Sequence, residues 1–304
     1  MKVLVTPRSM LPGTPAVQRL VAAGLDVVHG PEGRQPTPEE LVEILPGCQG
    51  WIAGVEQVPA AVIDAAESLR VISRNGAGAD AIDHVAAAAA GVTIRTTPGA
   101  NAQGVAELTV LLALAALRHL VPSSTALKDG GWVRPKGLEL SERTVGLVGF
   151  GAIGRRVASI LHGFGTTVVA TDPAMDGASS DGIEVLSLPQ LLGTSDVVSL
   201  HLPAIPGGPV IGAQELDQMV LGAVLINTSR AQLVDRAAVL DALESGRLAA
   251  YAVDAFEVEP PPVDDLLRHP NVIATPHIGA ATVESASRAA DVAVENLLEE
   301  LGIF

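Results

Sequence analysis

Cysteine occurs once in the chain, at Cys48, so no intramolecular disulfide can form and the fold must hold without covalent cross-links. Aromatic residues are scarce at 2%, which argues against an aromatic cage or a base-stacking platform. Positive charge is short as well: 19 Lys and Arg stand against 34 Asp and Glu, a net of −15, and the surplus acid is scattered rather than gathered into a tail. Nucleic acid and anionic membrane surfaces are therefore poor partners. The opening MKVLVTPRSM lacks the apolar stretch of a signal peptide. No apolar run reaches membrane-spanning length before charge, proline or glycine breaks it, although Val105 to Leu117 comes nearest. The expectation is a soluble, cytoplasmic protein.

What is present is an apolar-rich chain, 48% hydrophobic, and at 304 residues too long for one typical core of roughly 100–200 residues. Two domains with a cleft between them are expected. The first stretch alternates short apolar runs with helical patterns: Val3 to Val5, Pro15 to Ala23, Leu25 to Val28, Pro38 to Leu45, Trp51 to Ala53, Pro59 to Ala66, Val71 to Ser73, and Val92 to Arg95. Such alternation marks a parallel sheet flanked by helices. Around Thr97-Pro98-Gly99 the rhythm breaks, and a helix from about Val105 to Leu120, apolar on nearly every face, is expected to be buried.

Alternation then resumes with strands predicted at Thr144 to Val148, Thr167 to Thr171, Val197 to Leu200, Ala223 to Asn227, Ala250 to Val253 and Val272 to Ala274. The chain is read as an α/β protein of two doubly wound parallel-sheet domains, Rossmann-like or flavodoxin-like. The last helix, about Ala281 to Leu301, is expected to return to the first domain. There is no short-period repeat, and the alanine run Ala86 to Ala90 is read as helix.

Gly149, Gly151 and Gly154 have G-x-G-x-x-G spacing, a weak signal alone. Here they follow an apolar strand and open a helix, so that a tight turn, a close backbone approach and a close helix contact each have their glycine. The amides of Ala152 and Ile153 then face a pyrophosphate at the positive end of the helix dipole. Asp172 ends the next strand, where its carboxylate can accept from ribose hydroxyls and repel a 2′-phosphate, favouring NAD over NADP.

Three further strand ends carry Arg230, Glu259 and His277. Singly, each has an ordinary explanation: a helix cap, a solvated loop acid, a satisfied histidine after proline. Together they supply what reversible hydride transfer at a carbonyl requires. Negative charge grows on the carbonyl oxygen, so a histidine can donate the proton, and a carboxylate beside it favours the charged form and fixes the ring. A guanidinium can hold the substrate carboxylate without losing its own proton.

Asn227-Thr-Ser-Arg230, Asp254-Ala-Phe-Glu-Val-Glu259-Pro260 and Thr275-Pro-His277-Ile-Gly279, taken with the glycine turn, resemble the ordered motifs of the D-isomer-specific 2-hydroxyacid dehydrogenases, particularly the phosphoglycerate dehydrogenase branch. The likeness extends to Arg74-Asn-Gly-Ala-Gly78, Asn101 to Glu107 and His201-Leu-Pro203, and so covers nearly the whole chain. It implies a substrate-binding domain, 1–98 and 285–304, around an inserted NAD-binding domain, 99–284, with a homodimer built through the latter. By the same resemblance, Asn75 and Gly76, with the loop near Val55, present backbone amides to the substrate carboxylate. Thr228, Ser229, Arg230, Asp254, His277, Gly279 and Ala280 line the nicotinamide side. No metal site is expected.

Ala231 stands where the family usually has glycine, Gly104 where serine or alanine is common, and Ala204 to Pro209 lacks the usual threonines, departures that bear on substrate fit. The expectation is also that a regulatory serine-binding domain is absent. Arg8, after the first strand, is read as either a solvated arginine or a partner for a second anion on the substrate. The reading that follows is NAD-dependent hydride transfer at C2 of a small D-2-hydroxy or 2-keto acid of the 3-phosphoglycerate, hydroxypyruvate or glyoxylate class. Its alternatives are an NAD(H)-sensing regulatory protein and an amino acid dehydrogenase, which would need ammonium.

Overall fold

The computed structural model describes residues 1–175 and 182–303. The chain divides into two compact units, one of Met1–Asn101 with Thr282–Phe304 and the other of Ala102–Ala281. Each crossing lies three residues from the position expected from sequence, after Asn101 rather than Pro98 and after Ala281 rather than Glu284. The second shift follows from the last helix, which stays whole with its capping Thr282.

The first stretch contains β1 (Lys2–Val5), α1 (Pro15–Ala22), β2 (Asp26–His29), α2 (Pro38–Ile44), β3 (Cys48–Ala53), α3 (Ala60–Asp64), β4 (Val71–Arg74), α4 (His84–Ala89) and β5 (Thr93–Arg95). Its five strands pair in the order β2-β1-β3-β4-β5, all parallel. Both faces of this sheet are covered, so its inner strands β1, β3 and β4 are buried along most of their length rather than on alternate residues. Val3 and Val5 enter one core cluster with Leu20 of α1, while Leu4 enters the other with Trp51 and Ile72. Local chemistry closes the helix ends: Thr37 and Glu40 form a capping box on α2, and Asp83 accepts from Val85 and Ala86 at α4.

The second unit contains α5 (Ala102–Leu117), α6 (Leu120–Lys128), β6 (Thr144–Val148), α7 (Ala152–His162), β7 (Thr167–Thr171), β8 (Glu184–Val185), α8 (Leu188–Thr194), β9 (Val197–Leu200), α9 (Ala213–Gln218), β10 (Ala223–Asn227), α10 (Arg236–Glu244), β11 (Leu248–Val253), α11 (Asp265–Arg268) and β12 (Val272–Ala274). Its seven strands are also parallel, in the order β12-β11-β10-β9-β6-β7-β8. The winding reverses between β6 and β9, and ligands bind open α/β sheets at the carboxyl ends of the strands flanking such a point.

Helix α5 is buried along most of its length, as its all-round apolar surface predicts. It ends at Leu117 rather than near Leu120 because the returning chain takes its last carbonyl: Leu138 N–H donates to Leu117 O at 2.9 Å. His119 then adopts a left-handed conformation with φ 49°, and α6 departs at an angle of 65°. No single helix among the described residues is long and apolar enough to cross a membrane.

The final helix, α12 (Val283–Leu301), belongs to the first unit. Thr282 caps it by accepting from Ser285 N at 3.0 Å, and Gly302, φ 73°, ends it. Its Ala293, Val294 and Leu297 fill the core beside Val3 and Val5. Polar contacts fix its register: Ser73 Oγ donates to Ala293 O at 2.8 Å, Asn296 Nδ2 to Thr96 O at 2.9 Å, and Arg95 pairs with Glu300 at 2.6 Å.

Candidate functional site

The glycine turn after β6 has three separate jobs. Gly149 has φ 99°, a conformation that L side chains rarely adopt, and its Cα faces the carbonyl of His201 too closely to admit a Cβ. Gly154, in the first turn of α7, packs onto the Gly149 carbonyl in the same way. A Cβ on Gly151, by contrast, would meet nothing within 4 Å, so this glycine leaves open space where the helix begins. The Ala152 and Ile153 amides have no preceding carbonyl within the helix, and the dipole favours an anion there.

Asp172, just past β7, is tied to this turn. Its Oδ2 accepts from Phe150 N at 2.7 Å and its Oδ1 from Ala174 N at 2.8 Å. The carboxylate is thereby aimed and keeps further lone pairs for hydroxyl donors. Open space at Gly151, free helix-start amides and an oriented acid fit a dinucleotide with unmodified ribose.

At the ends of β11 and β12 the chain builds a second constellation around Asp254, which is 1% exposed. Its Oδ1 accepts from Thr275 Oγ1 at 2.6 Å and from Ile278 N at 2.8 Å, and its Oδ2 accepts from Gly279 N at 2.8 Å. A buried carboxylate is costly unless charge-assisted hydrogen bonds replace water, and three do so here. These bonds grip the segment on both sides of His277, which adopts φ 51°. A left-handed non-glycine residue costs about 1–2 kcal/mol. Three bonds to a carboxylate, at roughly 1.5–3 kcal/mol each, outweigh that cost.

The result is that His277 projects outward, its side chain 50% exposed, with Nδ1 2.6 Å from Glu259 Oε1. Glu259 is 43% exposed and also accepts from Phe256 N at 3.4 Å. With Nδ1–H donated to the carboxylate, Nε2 is the ring nitrogen left to face a reactant.

Arg230 stands three residues past β10 on a turn braced by Asn227. That side chain accepts from Ser229 N at 3.1 Å and donates to Arg230 O at 2.8 Å. The Arg230 guanidinium donates to Ser229 O at 2.9 Å. Thr109 of α5 donates to Val105 O at 2.9 Å, so Thr228, 3.0 Å from the Thr109 hydroxyl, is the donor of that pair. Asn227 and Thr109 received no role from sequence; an asparagine closing a strand before Thr-Ser is the signature of a side-chain-braced turn and could have been read as one.

The structure adds contacts at several residues singled out from sequence. Ser229, expected beside the cofactor, is buried and spends its hydroxyl on Leu200 O at 2.7 Å, so its side chain acts as an internal brace. The Asn75 and Gly76 amides, expected to meet a substrate carboxylate, already have acceptors: Asn75 N donates to Ala53 O and Gly76 N to Arg74 O, each at 2.8 Å. The parallel pairing of β3 with β4 extends one residue beyond Arg74 and captures the first amide, and a tight turn captures the second. Val55 is exposed, at 53%. His201 appears in the resemblance only as a sequence match; here its ring nitrogens are both enclosed without a hydrogen-bond partner among the described residues, and burial pushes its pKa down to about 4.

Comparison with known proteins agrees with this architecture. Residues 110–279 match the family model described as "D-isomer specific 2-hydroxyacid dehydrogenase, NAD binding domain". The chain is 38% identical over 272 residues to a hydroxypyruvate reductase of Thermotoga maritima, covering 87% of this chain and 89% of that one. It is 38% identical over 271 residues to D-3-phosphoglycerate dehydrogenase of Rattus norvegicus, but spans only 50% of that longer protein. Among solved structures, the TT0316 protein of Thermus thermophilus superposes with a TM-score of 0.89 at 38% identity, over 99% of this chain and 97% of the other.

Proposed function

The chain belongs to the D-isomer specific 2-hydroxyacid dehydrogenases, an NAD-binding enzyme family, and from that premise we propose that it interconverts a small D-2-hydroxy acid and its 2-keto acid through Arg230, Glu259 and His277. NAD, when bound, accepts or supplies the hydride. The protein's part is to hold the substrate and manage the proton. The observation that carries this reading is the 2.6 Å contact between His277 Nδ1 and Glu259. It fixes the ring with Nε2 outward, where it gives a proton to the oxygen of a keto acid or takes one from a hydroxy acid. Glu259 stabilises the imidazolium formed in oxidation. The Arg230 guanidinium receives the substrate carboxylate and polarises the adjoining carbonyl. Gly151, the Ala152 and Ile153 amides and Asp172 hold the dinucleotide.

The substrate class we favour comprises hydroxypyruvate, glyoxylate and the phosphorylated analogue phosphohydroxypyruvate. Arg8, exposed past β1, is the group assigned to a second anion, and an Arg8→Ala variant should raise KM for phosphohydroxypyruvate while leaving that for glyoxylate unchanged. An equal change for both would remove Arg8 from the site. The wider reading is tested by NADH oxidation with purified protein against glyoxylate, hydroxypyruvate, phosphohydroxypyruvate and 2-ketoglutarate without ammonium. Turnover of at least one of the first three is expected; NADH binding with no turnover of any would favour a sensor instead.

The partner proposed is a second copy of this chain. Helix α6 has no buried residue, and Leu127, Trp132 and Val133 near it are exposed at 58%, 78% and 63%. Apolar side chains clustered in this way mark a surface that another protein covers. Light scattering should return twice the chain mass for the wild type and a smaller mass for Trp132→Glu.

A further inference from the structure

Among the described residues only Asp254 and Glu56 are acids buried from solvent, and Glu56, 3% exposed, has no part in the chemistry proposed above. Its Oε1 accepts from Gly54 N at 2.9 Å and from Thr6 Oγ1, and that hydroxyl in turn accepts from Trp51 Nε1 at 3.0 Å. Its Oε2 is enclosed without a hydrogen-bond partner among the described residues. Burying a carboxyl with one oxygen unserved is costly. Folded chains keep such costs chiefly where a site requires them.

The place of Glu56 in the fold says which site. The first sheet has the order β2-β1-β3-β4-β5, so its winding reverses between β1 and β3, and ligands bind open α/β sheets beyond the carboxyl ends of the strands flanking such a point. Thr6 is the first residue after β1 and Gly54 the first after β3. The Glu56 carboxyl therefore ties together the two loops at the switch point, through Thr6 the one leading to Arg8 and through Gly54 the turn bearing Val55. Glycine is required in that turn, since a Cβ on Gly54 would lie 2.7 Å from Glu56 Oε2 and 3.4 Å from Pro7 Cα. Val55 is exposed, and the Val55 and Glu56 amides have no acceptor among the described residues, unlike those of Asn75 and Gly76.

We infer that Glu56 is a positioning residue for substrate binding: acting through Gly54 and Thr6, its carboxyl holds the turn after β3 in the shape whose free amides receive the carboxylate of the 2-keto acid. This rests on the function proposed above. The feature that the turn uses is the acceptor Oε1, so a side chain of the same shape with one carbonyl oxygen can replace it.

The test separates substrate binding from turnover and from the cofactor. In NADH oxidation with glyoxylate, Glu56→Ala should raise KM about 10-fold, the worth of a hydrogen bond to a charged group, with kcat at saturation within about 2-fold of wild type. Fluorescence titration should return an NADH Kd within about 2-fold of wild type as well. Glu56→Gln, which keeps an acceptor for Gly54 N, should restore KM to within about 3-fold. If Glu56→Ala does not fold, Gly54→Ala decides in its place, because the added Cβ displaces the carboxyl from the turn and should raise KM in the same way. An unchanged KM, or a fall in kcat and NADH affinity as large as the rise in KM, would overturn the inference, and so would a Glu56→Gln variant as defective as Glu56→Ala. Failure of the underlying reading is distinguishable: it would appear as His277→Ala retaining wild-type turnover.

Discussion

His277 and His201 both stand beyond the carboxyl ends of strands in the seven-stranded sheet, the first after β12 and the second after β9. His277 is half exposed, turned outward by a clamped segment and hydrogen-bonded to a carboxylate. His201 has its nitrogens enclosed and unpartnered among the described residues, beside a glycine turn that presses on its carbonyl. Burial without a partner holds that imidazole neutral, its pKa near 4. A strand-end position is thus no guide to chemistry. His277 has both solvent access and a neighbouring carboxylate, the two features that the proton transfer proposed for it requires, and the enclosed ring nitrogens of His201 have neither.

The largest expected effect bears directly on this contrast. His277→Ala should lower kcat by about 10²–10⁴-fold, whereas His201→Leu should leave it within a few fold; steady-state NADH oxidation with both variants would break the comparison if the order were reversed. Glu259→Gln asks whether the carboxylate matters beyond orientation, and a kcat loss of roughly 10- to 100-fold is expected. Full activity in that variant would reduce the pair to a surface contact.

The next effect concerns stability. The His201 pKa is about 4 in the folded state against 6.5 unfolded, so the native state binds fewer protons between those values. Stability from this source is fully present above the unfolded value and falls as pH drops toward the folded one, by about 2 kcal/mol from pH 7 to pH 5. Urea unfolding at the two pH values should show that loss in wild type and a smaller one in His201→Leu. Equal losses would mean that the ring is solvated. Smallest is Asp172→Asn beside the same turn, which should erode the preference for NAD over NADP by about 10-fold or less, measured as a ratio of kcat/KM values.

Much of the molecule was legible in the chain. The strands predicted at Thr144 to Val148 and Ala223 to Asn227 form with those bounds, because uninterrupted apolar runs of that length are buried strands in a parallel sheet. The glycine turn was readable because its demands are local: one positive φ and one close helix contact. Motif matching names Asn75 and Gly76 but does not count acceptors, and only the fold shows that the Ala53 and Arg74 carbonyls accept from their amides. Helix α5 ran on too far in the sequence reading because apolar periodicity continues past Leu117, while the residue that terminates it, Leu138, returns from a later loop.

Sequence alone therefore determined the two parallel sheets and the glycine turn with the acid that follows it, since each depends on composition, period or fixed spacing within a short window. Tertiary structure decided which of these groups are available. Asp254 meets Thr275, Ile278 and Gly279 only because β11 and β12 lie side by side, and Gly149 meets the His201 carbonyl only because β9 lies beside β6. Burial and hydrogen-bond saturation arise from segments brought together across the sheet, and no local pattern encodes them.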